Sequence, residues 1–245
     1  AARQEADLQQ TSTEYTYEFL RSWGSEGTGD GQFGCPTGIA VDGEGNVYVL
    51  DTYQIQVFDP QGQFLRKWGA PSDGDGQSNL NHGDYGGLAI DGDGNVYVVD
   101  TFRIQVFDPQ GRFLRQWGSK GNGDGEFDSP WAHLAIDGEG NVYVVGLYRI
   151  QVLDPQGQFL RKWGWEGAEY GQFRQPVGIA VDGDGRVYVA DEDNHRIQVF
   201  DPEGRFLSKW GTEGEGDGQF RMPNGIAVDG EGRVYVADED NHRIQ

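Results

Sequence analysis

The chain has 245 residues, with 19 Lys and Arg against 40 Asp and Glu, for a formal net charge of −21. A chain this long buries a sizeable core without help from disulfides or metals, and its single cysteine, Cys35, excludes an intramolecular disulfide and a Cys-based zinc site. The charge repels nucleic-acid backbones and anionic membrane surfaces, and no stretch approaches the ~20 apolar residues of a membrane-spanning helix.

In chain order, residues 1–13 are rich in Gln, Thr and Glu and are expected to form a loose tail ahead of a folded domain over 14–245. Tyr17–Trp23 then reads as a strand. From there the sequence repeats. Trp-Gly recurs with Trp at 23, 68, 117, 163 and 210, and Asp-Gly-[Asp/Glu]-Gly begins at Asp42, Asp91, Asp137, Asp182 and Asp229. Asp-Pro-x-Gly begins at Asp59, Asp108, Asp154 and Asp201. Residues 182–198 and 229–245 differ only at Asp184 versus Glu231.

Each unit predicts four short strands. In the first unit these are Gly38–Asp42, Asn46–Asp51, Gln54–Phe58 and Gln63–Trp68. Between the first two, the Asp-Gly-Glu-Gly tetrapeptide is a tight turn in which glycine takes positive φ at no steric cost. Between the last two, Asp59-Pro60-Gln61-Gly62 is a hairpin with proline presetting φ. The first strand of each unit is apolar on both faces and needs cover on both sides, whereas the fourth is more polar and suits a rim. A radial array of four-stranded antiparallel sheets satisfies both conditions, so the expected fold is an all-β, five-bladed β-propeller. The last unit stops after three strands, and Tyr17–Trp23 is expected to supply the fourth, closing the ring between the two chain ends.

The run Gly218–Gln245, with Asn241-His242-Arg243-Ile244 and its copy Asn194-His195-Arg196-Ile197, resembles an NHL repeat. The resemblance covers about residues 14–245. Units one to three depart from it, with Thr52-Tyr53-Gln54, Thr101-Phe102-Arg103 and Leu147-Tyr148-Arg149 in place of the fuller hairpin. The resemblance implies one of three roles: a protein-binding scaffold, an RNA binder using a basic face, or a lyase or related hydrolase.

Residue types weigh these roles. Propeller lyases similar to this family hold a metal with several histidines at the channel mouth, and this chain has four. His195 and His242 share one repeat position and read as hairpin-stabilising. His82 and His133 precede inner strands of adjacent units; with Asp84 they are the candidate metal ligands, for zinc or calcium, although no cofactor is the leading expectation. The Asp91–Asn95 stretch is similar to the start of a calcium loop, but turn chemistry already accounts for it. Every inner strand carries only the terminal Asp of its turn, which argues against a glycosidase pair.

Departures from the internal consensus locate the candidate binding residues. They are His82, Asp84 and Tyr85 in the long loop before unit two, Trp131 and His133 before unit three, Tyr148 in its hairpin, and Trp165 and Tyr170 after it. Exposed aromatics beside polar groups are typical binding hot spots. The leading reading is a non-enzymatic scaffold whose connecting-loop face engages a protein with a basic patch. A metal-dependent lyase or hydrolase and a sugar-binding lectin are the alternatives. A monomer or a strand-exchanged oligomer is expected. The Met-less start, Ala1-Ala2-Arg3, and the habit of similar bacterial proteins point to an extracellular or periplasmic location.

Overall fold

A computed structural model describes residues 20–51, 53–70, 86–100, 102–127 and 133–245. Two short strands, β1 (Ser25–Glu26) and β2 (Gln32–Phe33), pair in parallel ahead of the first blade. Blade 1 comprises β3 (Pro36–Val41), β4 (Val47–Asp51), β5 (Gln54–Phe58) and β6 (Phe64–Trp68). Blade 2 comprises β7 (Leu88–Ile90), β8 (Val96–Asp100), β9 (Arg103–Phe107) and β10 (Phe113–Trp117). Blade 3 has β11 (Leu134–Ile136), β12 (Val142–Val145), β13 (Ile150–Leu153) and β14 (Phe159–Trp163), and blade 4 has β15 (Pro176–Val181), β16 (Val187–Asp191), β17 (Arg196–Phe200) and β18 (Phe206–Trp210). In blade 5 the strands are β19 (Pro223–Val228), β20 (Val234–Asp238) and β21 (Arg243–Ile244). Strands within each blade pair antiparallel in sequence order, so the five-bladed arrangement expected from the repeats is present, and no α-helix occurs among the described residues.

The core lies between blades. One cluster joins Tyr48, Leu50 and Ile55 of blade 1 to Leu88, Val96 and Val98 of blade 2. Equivalent clusters join blades 2 and 3, 3 and 4, and 4 and 5. This is why the inner strands are apolar on both faces: those of blades 2, 3 and 4 are covered by a neighbour on either side. At the rim, a tryptophan ending one blade's outer strand lies on the hairpin glycine of the next. Trp117 of blade 2 covers Gly157 of blade 3, where φ is +83° and a Cβ would stand 2.5 Å from the indole. Trp68 meets Gly111, and Trp163 meets Gly204, in the same way. Two residues before the tryptophan, Arg115 crosses the same interface and donates to Pro155 O at 2.9 Å.

The N-terminal segment joins this pattern. Trp23 covers Gly62 of blade 1, and Arg21 donates to Pro60 O at 2.9 Å. The expected pairing of Tyr17–Trp23 with blade 5 falls partly on residues 17–19, which lie outside the described residues. Within the described set, Leu20–Trp23 pair with no strand, and the sheet of blade 5 has three strands. The rim contacts explain the placement, because the segment takes the site that an outer strand occupies beside blade 1.

Buried polar residues fasten the connecting loops. Asp191 is buried and accepts from Arg174 N (3.0 Å), Asn194 Nδ2 (2.8 Å) and Arg196 Nε (2.8 Å). The guanidinium of Arg196, itself buried, also donates to the carbonyls of Ala168, Glu169 and Gln172. Asp238, Asn241 and Arg243 repeat the network in blade 5. His195 and His242 end the short 3₁₀ turns Glu192–Asn194 and Glu239–Asn241 in left-handed backbone, φ 51° and 53°, with their N–H groups closing the turns. The hairpin-stabilising role expected for these histidines matches this geometry.

Two stability predictions follow from these contacts. Gly157→Ala combines left-handed backbone strain of ~1–2 kcal/mol with overpacking of ~1–3 kcal/mol against Trp117. It is expected to lower unfolding free energy in urea by about 2–4 kcal/mol, while Gly138→Ala, with nothing within 4 Å, changes it little. Arg196→Met leaves Asp191 buried without its cation and is expected to cost about 3–5 kcal/mol in the same titration.

Candidate channel-mouth site

The loops joining successive blades and the hairpins between second and third strands open on one face. There, a cavity of about 420 Å³ is lined by Pro36, Thr37, His133, Gln175, Val177, Glu192, Met222, Asn224 and Glu239. Four blades contribute to it. Glu192 and Glu239 enter from the 3₁₀ turns of blades 4 and 5, the two units whose hairpins are longer by two residues. Each carboxylate is held by an amide from the start of an inner strand: Gln175 Nε2 donates to Glu192 Oε1 at 2.8 Å, and Asn224 Nδ2 to Glu239 Oε2 at 3.0 Å.

The two glutamates differ in environment. Glu192 is 4% exposed, whereas Glu239 is exposed. Burial, then the neighbouring charges of Asp193, Glu239 and Asp240, push Glu192 up to about 7. Opposite them, His133 immediately precedes β11, the inner strand of blade 3. Register places it where blades 1, 4 and 5 have Gly38, Gly178 and Gly225. A side chain at Gly178 would collide with Asn224 O of the adjacent inner strand, so histidine is admitted only where the neighbour leaves room. Burial pushes the His133 imidazole below the usual histidine range. Thr37 adds a buried hydroxyl with no hydrogen-bond partner. Met222 lines the same cavity in left-handed backbone, φ 55°.

Of the candidates named from sequence, His133 lies in this cavity. His82, Asp84, Tyr85 and Trp131 lie outside the described residues. Tyr148 is partly buried in the blade 3 hairpin. Trp165 is 59% exposed in the following loop, at a position held by Ser25, Ser119 and Thr212 elsewhere. Tyr170 stands where the other loops have Asp30, Asp124 and Asp217. Asp30 and Asp124 pair with Lys67 and Lys162. Tyr170 instead stacks on Phe206 (4.8 Å, 9°), with Lys209 Nζ 5.2 Å from its ring centre, so its face is already engaged within the fold. Glu192, Glu239, Gln175 and Asn224 were not singled out from sequence. The signal was there: Glu192 and Glu239 occur only in the two longer hairpins.

The turns on the opposite face behave as turns. Asp91 Oδ1 accepts the N–H groups of Asp93 and Asn95, and its Oδ2 accepts Asn95 Nδ2 and Tyr97 Oη. Its lone pairs are spent on the hairpin. Among the described residues, no group of three His, Cys, Asp or Glu is arranged to hold a metal ion.

Comparison with known proteins adds the following. The NHL repeat model matches residues 173–200 and 220–245. No curated protein sequence matches the chain. Among solved structures, a streptogramin B lyase superposes with TM-score 0.62 at 15% identity, covering 85% of this chain and 64% of the lyase. An auxiliary nutrient binding protein from Bacteroides thetaiotaomicron gives 0.52 at 18% identity, covering 86% and 68%. Virginiamycin B lyase from Staphylococcus aureus gives 0.51 at 12% identity, covering 86% and 83%. At such identities these structures share the fold with this chain and nothing finer. The two matched repeats coincide with blades 4 and 5, the same strand unit builds blades 1 to 3, and together they support a likeness to the NHL-repeat β-propellers.

Proposed function

We propose that the propeller is a non-enzymatic binding scaffold whose channel-mouth face engages a protein partner through a basic side chain. The observation that carries this reading is the pair Glu192 and Glu239. They enter one cavity from adjacent blades, each is oriented by an amide, and Asp193 and Asp240 stand beside them. A lysine or arginine entering the cavity meets carboxylates that the fold already positions, so little ordering remains to be done on binding. The net charge of −21 adds long-range attraction for a basic partner. Exposed Trp165 provides an apolar contact on the connecting loop of blade 4.

The lyase reading rests on His133, the one imidazole among the described residues of this cavity. Elemental analysis of the purified protein separates the two: stoichiometric zinc or calcium lost in His133→Ala favours the enzyme.

A fluorescent lysine-rich peptide is the probe for the scaffold. Its affinity is expected to fall steeply with added salt, and a salt-independent or absent signal would count against the reading. Glu192 gains its charge as pH rises through about 7. Peptide affinity is therefore expected to rise several-fold between pH 6 and 8, and Glu192→Gln to remove that rise.

The same group sets a stability trend of opposite sense. Folded Glu192 retains its proton up to about 7, whereas the unfolded carboxyl releases it near the ordinary 4.5. The stabilisation is complete below the unfolded value and is lost as pH rises through the folded one. Glu192→Gln is therefore expected to flatten the decline in stability from pH 4.5 to 7 and to stabilise the fold at pH 8 by roughly 1–3 kcal/mol, read from urea titrations at each pH.

A further inference from the structure

We propose that Asn122 is a self-modification site: its side-chain amide is converted to a carboxylate through attack by the backbone nitrogen of Gly123, with the Glu126 carboxylate as the base. The site lies in the loop joining blades 2 and 3. Four described loops share one plan, Gly-x-[Gly/Glu]-x-Gly-[Gln/Glu]-Phe, and two residues set this one apart. Asn122 stands where the others have Thr28, Ala168 and Glu215, and Glu126 stands where they have Gln32, Gln172 and Gln219. In those three loops the glutamine Oε1 accepts a backbone N–H, from Gly29 (3.0 Å), Glu169 (2.8 Å) and Gly216 (3.0 Å). Here a carboxylate takes that place, and Glu126 Oε2 accepts the Gly123 N–H at 2.8 Å. A Cβ at Gly123 would stand 2.9 Å from the same oxygen, so glycine is what lets the carboxylate reach the nitrogen.

The other groups at the site fit the same reaction. A glycine after asparagine puts no side chain in the way of ring closure. Arg149 Nη1 donates to Asn122 Oδ1 at 3.4 Å, and its Nη2 to Glu126 O at 3.2 Å, so a guanidinium stands where negative charge develops. Lys162 Nζ pairs with Asp124 Oδ1 at 2.6 Å and ties the loop to β14. The Gly123 nitrogen bonds to Asn122 Cγ while Glu126 takes its proton, and Arg149 stabilises the oxyanion on Oδ1. The oxyanion collapses, the Cγ–Nδ2 bond breaks, and Glu126 returns the proton to the departing ammonia. Water then opens the five-membered imide, at Cγ to give aspartate or at the main-chain carbonyl to give isoaspartate. Asn122 and Gly123 are exposed, so water has access. The chain's other Asn-Gly pair is an internal contrast. Asn224 lies in β19, paired with β20, and its Nδ2 donates to Glu239 Oε2 at 3.0 Å.

The test incubates the full chain at neutral pH, folded and unfolded in urea, and follows the amide-to-carboxyl mass gain at Asn122 by mass spectrometry of proteolytic peptides. The folded chain is expected to convert Asn122 about tenfold faster than the unfolded chain, or more, because only the fold brings Glu126 to the nitrogen. Glu126→Gln is expected to remove that advantage and to leave the unfolded rate unchanged. This variant keeps the acceptor that glutamine supplies in three other loops, so its urea midpoint is expected to match the parent's. Arg149→Gln, which places there the residue found at Gln54 in blade 1, is expected to slow the folded rate several-fold. Asn224 is expected to keep its amide over the same period. A folded rate no faster than the unfolded one, conversion of Asn224 ahead of Asn122, or an unaltered folded rate in either variant would overturn the proposal.

Discussion

The contact of one blade's apolar face with the next is the interaction on which everything else depends. A single four-stranded sheet of this repeat has nowhere to hide its isoleucines and valines, because inner strands such as Leu134–Ile136 are apolar on both sides. Stability therefore arises between units, as in any stacked repeat protein. The rim reinforces the same interfaces. Trp117 and Arg115 reach across to the Pro155–Gly157 turn, and glycine is required there because the indole occupies the space of a Cβ. The Asp-Pro-x-Gly turns are thus also interblade contacts.

Polar groups buried by this stacking need partners, and the repeat supplies them locally. Gln151 and Gln198 sit in third strands with almost no exposure, and each grips a connecting-loop carbonyl and N–H. In blades 4 and 5 the Asp-Asn-Arg network adds a charged fastener. The residues that define the NHL signature here are therefore committed to holding loops in place. The neighbouring glutamate stays outside that network, and the longer hairpin brings it into the channel-mouth cavity.

Much of this was legible in the sequence, for a physical reason. Strand, turn and repeat are local properties: Asp-Gly-Glu-Gly and Asp-Pro-x-Gly specify their turns wherever they lie, and the Trp-Gly spacing counts the units. The recurrence of His195 and His242 reads as a structural, hairpin-stabilising role, whereas their left-handed backbone is seen only in the fold. The site was harder to read because it is assembled from four blades. Nothing in the unit Asp-Glu-Asp-Asn-His says that its glutamate will face a cavity shared with Thr37 and His133. Tyr170 is exposed, as its departure from Asp suggested, and it also makes an internal contact, a ring stacked on Phe206 beside Lys209 where other loops have an ion pair to the rim lysine. Tyr17–Trp23 reads as a strand from sequence, yet its described residues 20–23 pair with no strand, and which blade they lie beside depends on interblade contacts that are not encoded locally.

Near-identical sequence also ends in unequal chemistry. Residues 182–198 and 229–245 differ at one position, yet Glu192 is buried and holds its proton to about 7 while Glu239 is exposed. The difference comes from what lies on the far side of each blade. Glu192 has the connecting loop of blade 5 packed beside it, with Met222 and Asn224 at the mouth. Glu239, in the last hairpin, is exposed, as is Ile244 after it. In a ring of copies, a residue's protonation is a property of its neighbour as much as of its own unit. Glu192 and Glu239 share one cavity, and two like charges in one cavity do not both ionise readily.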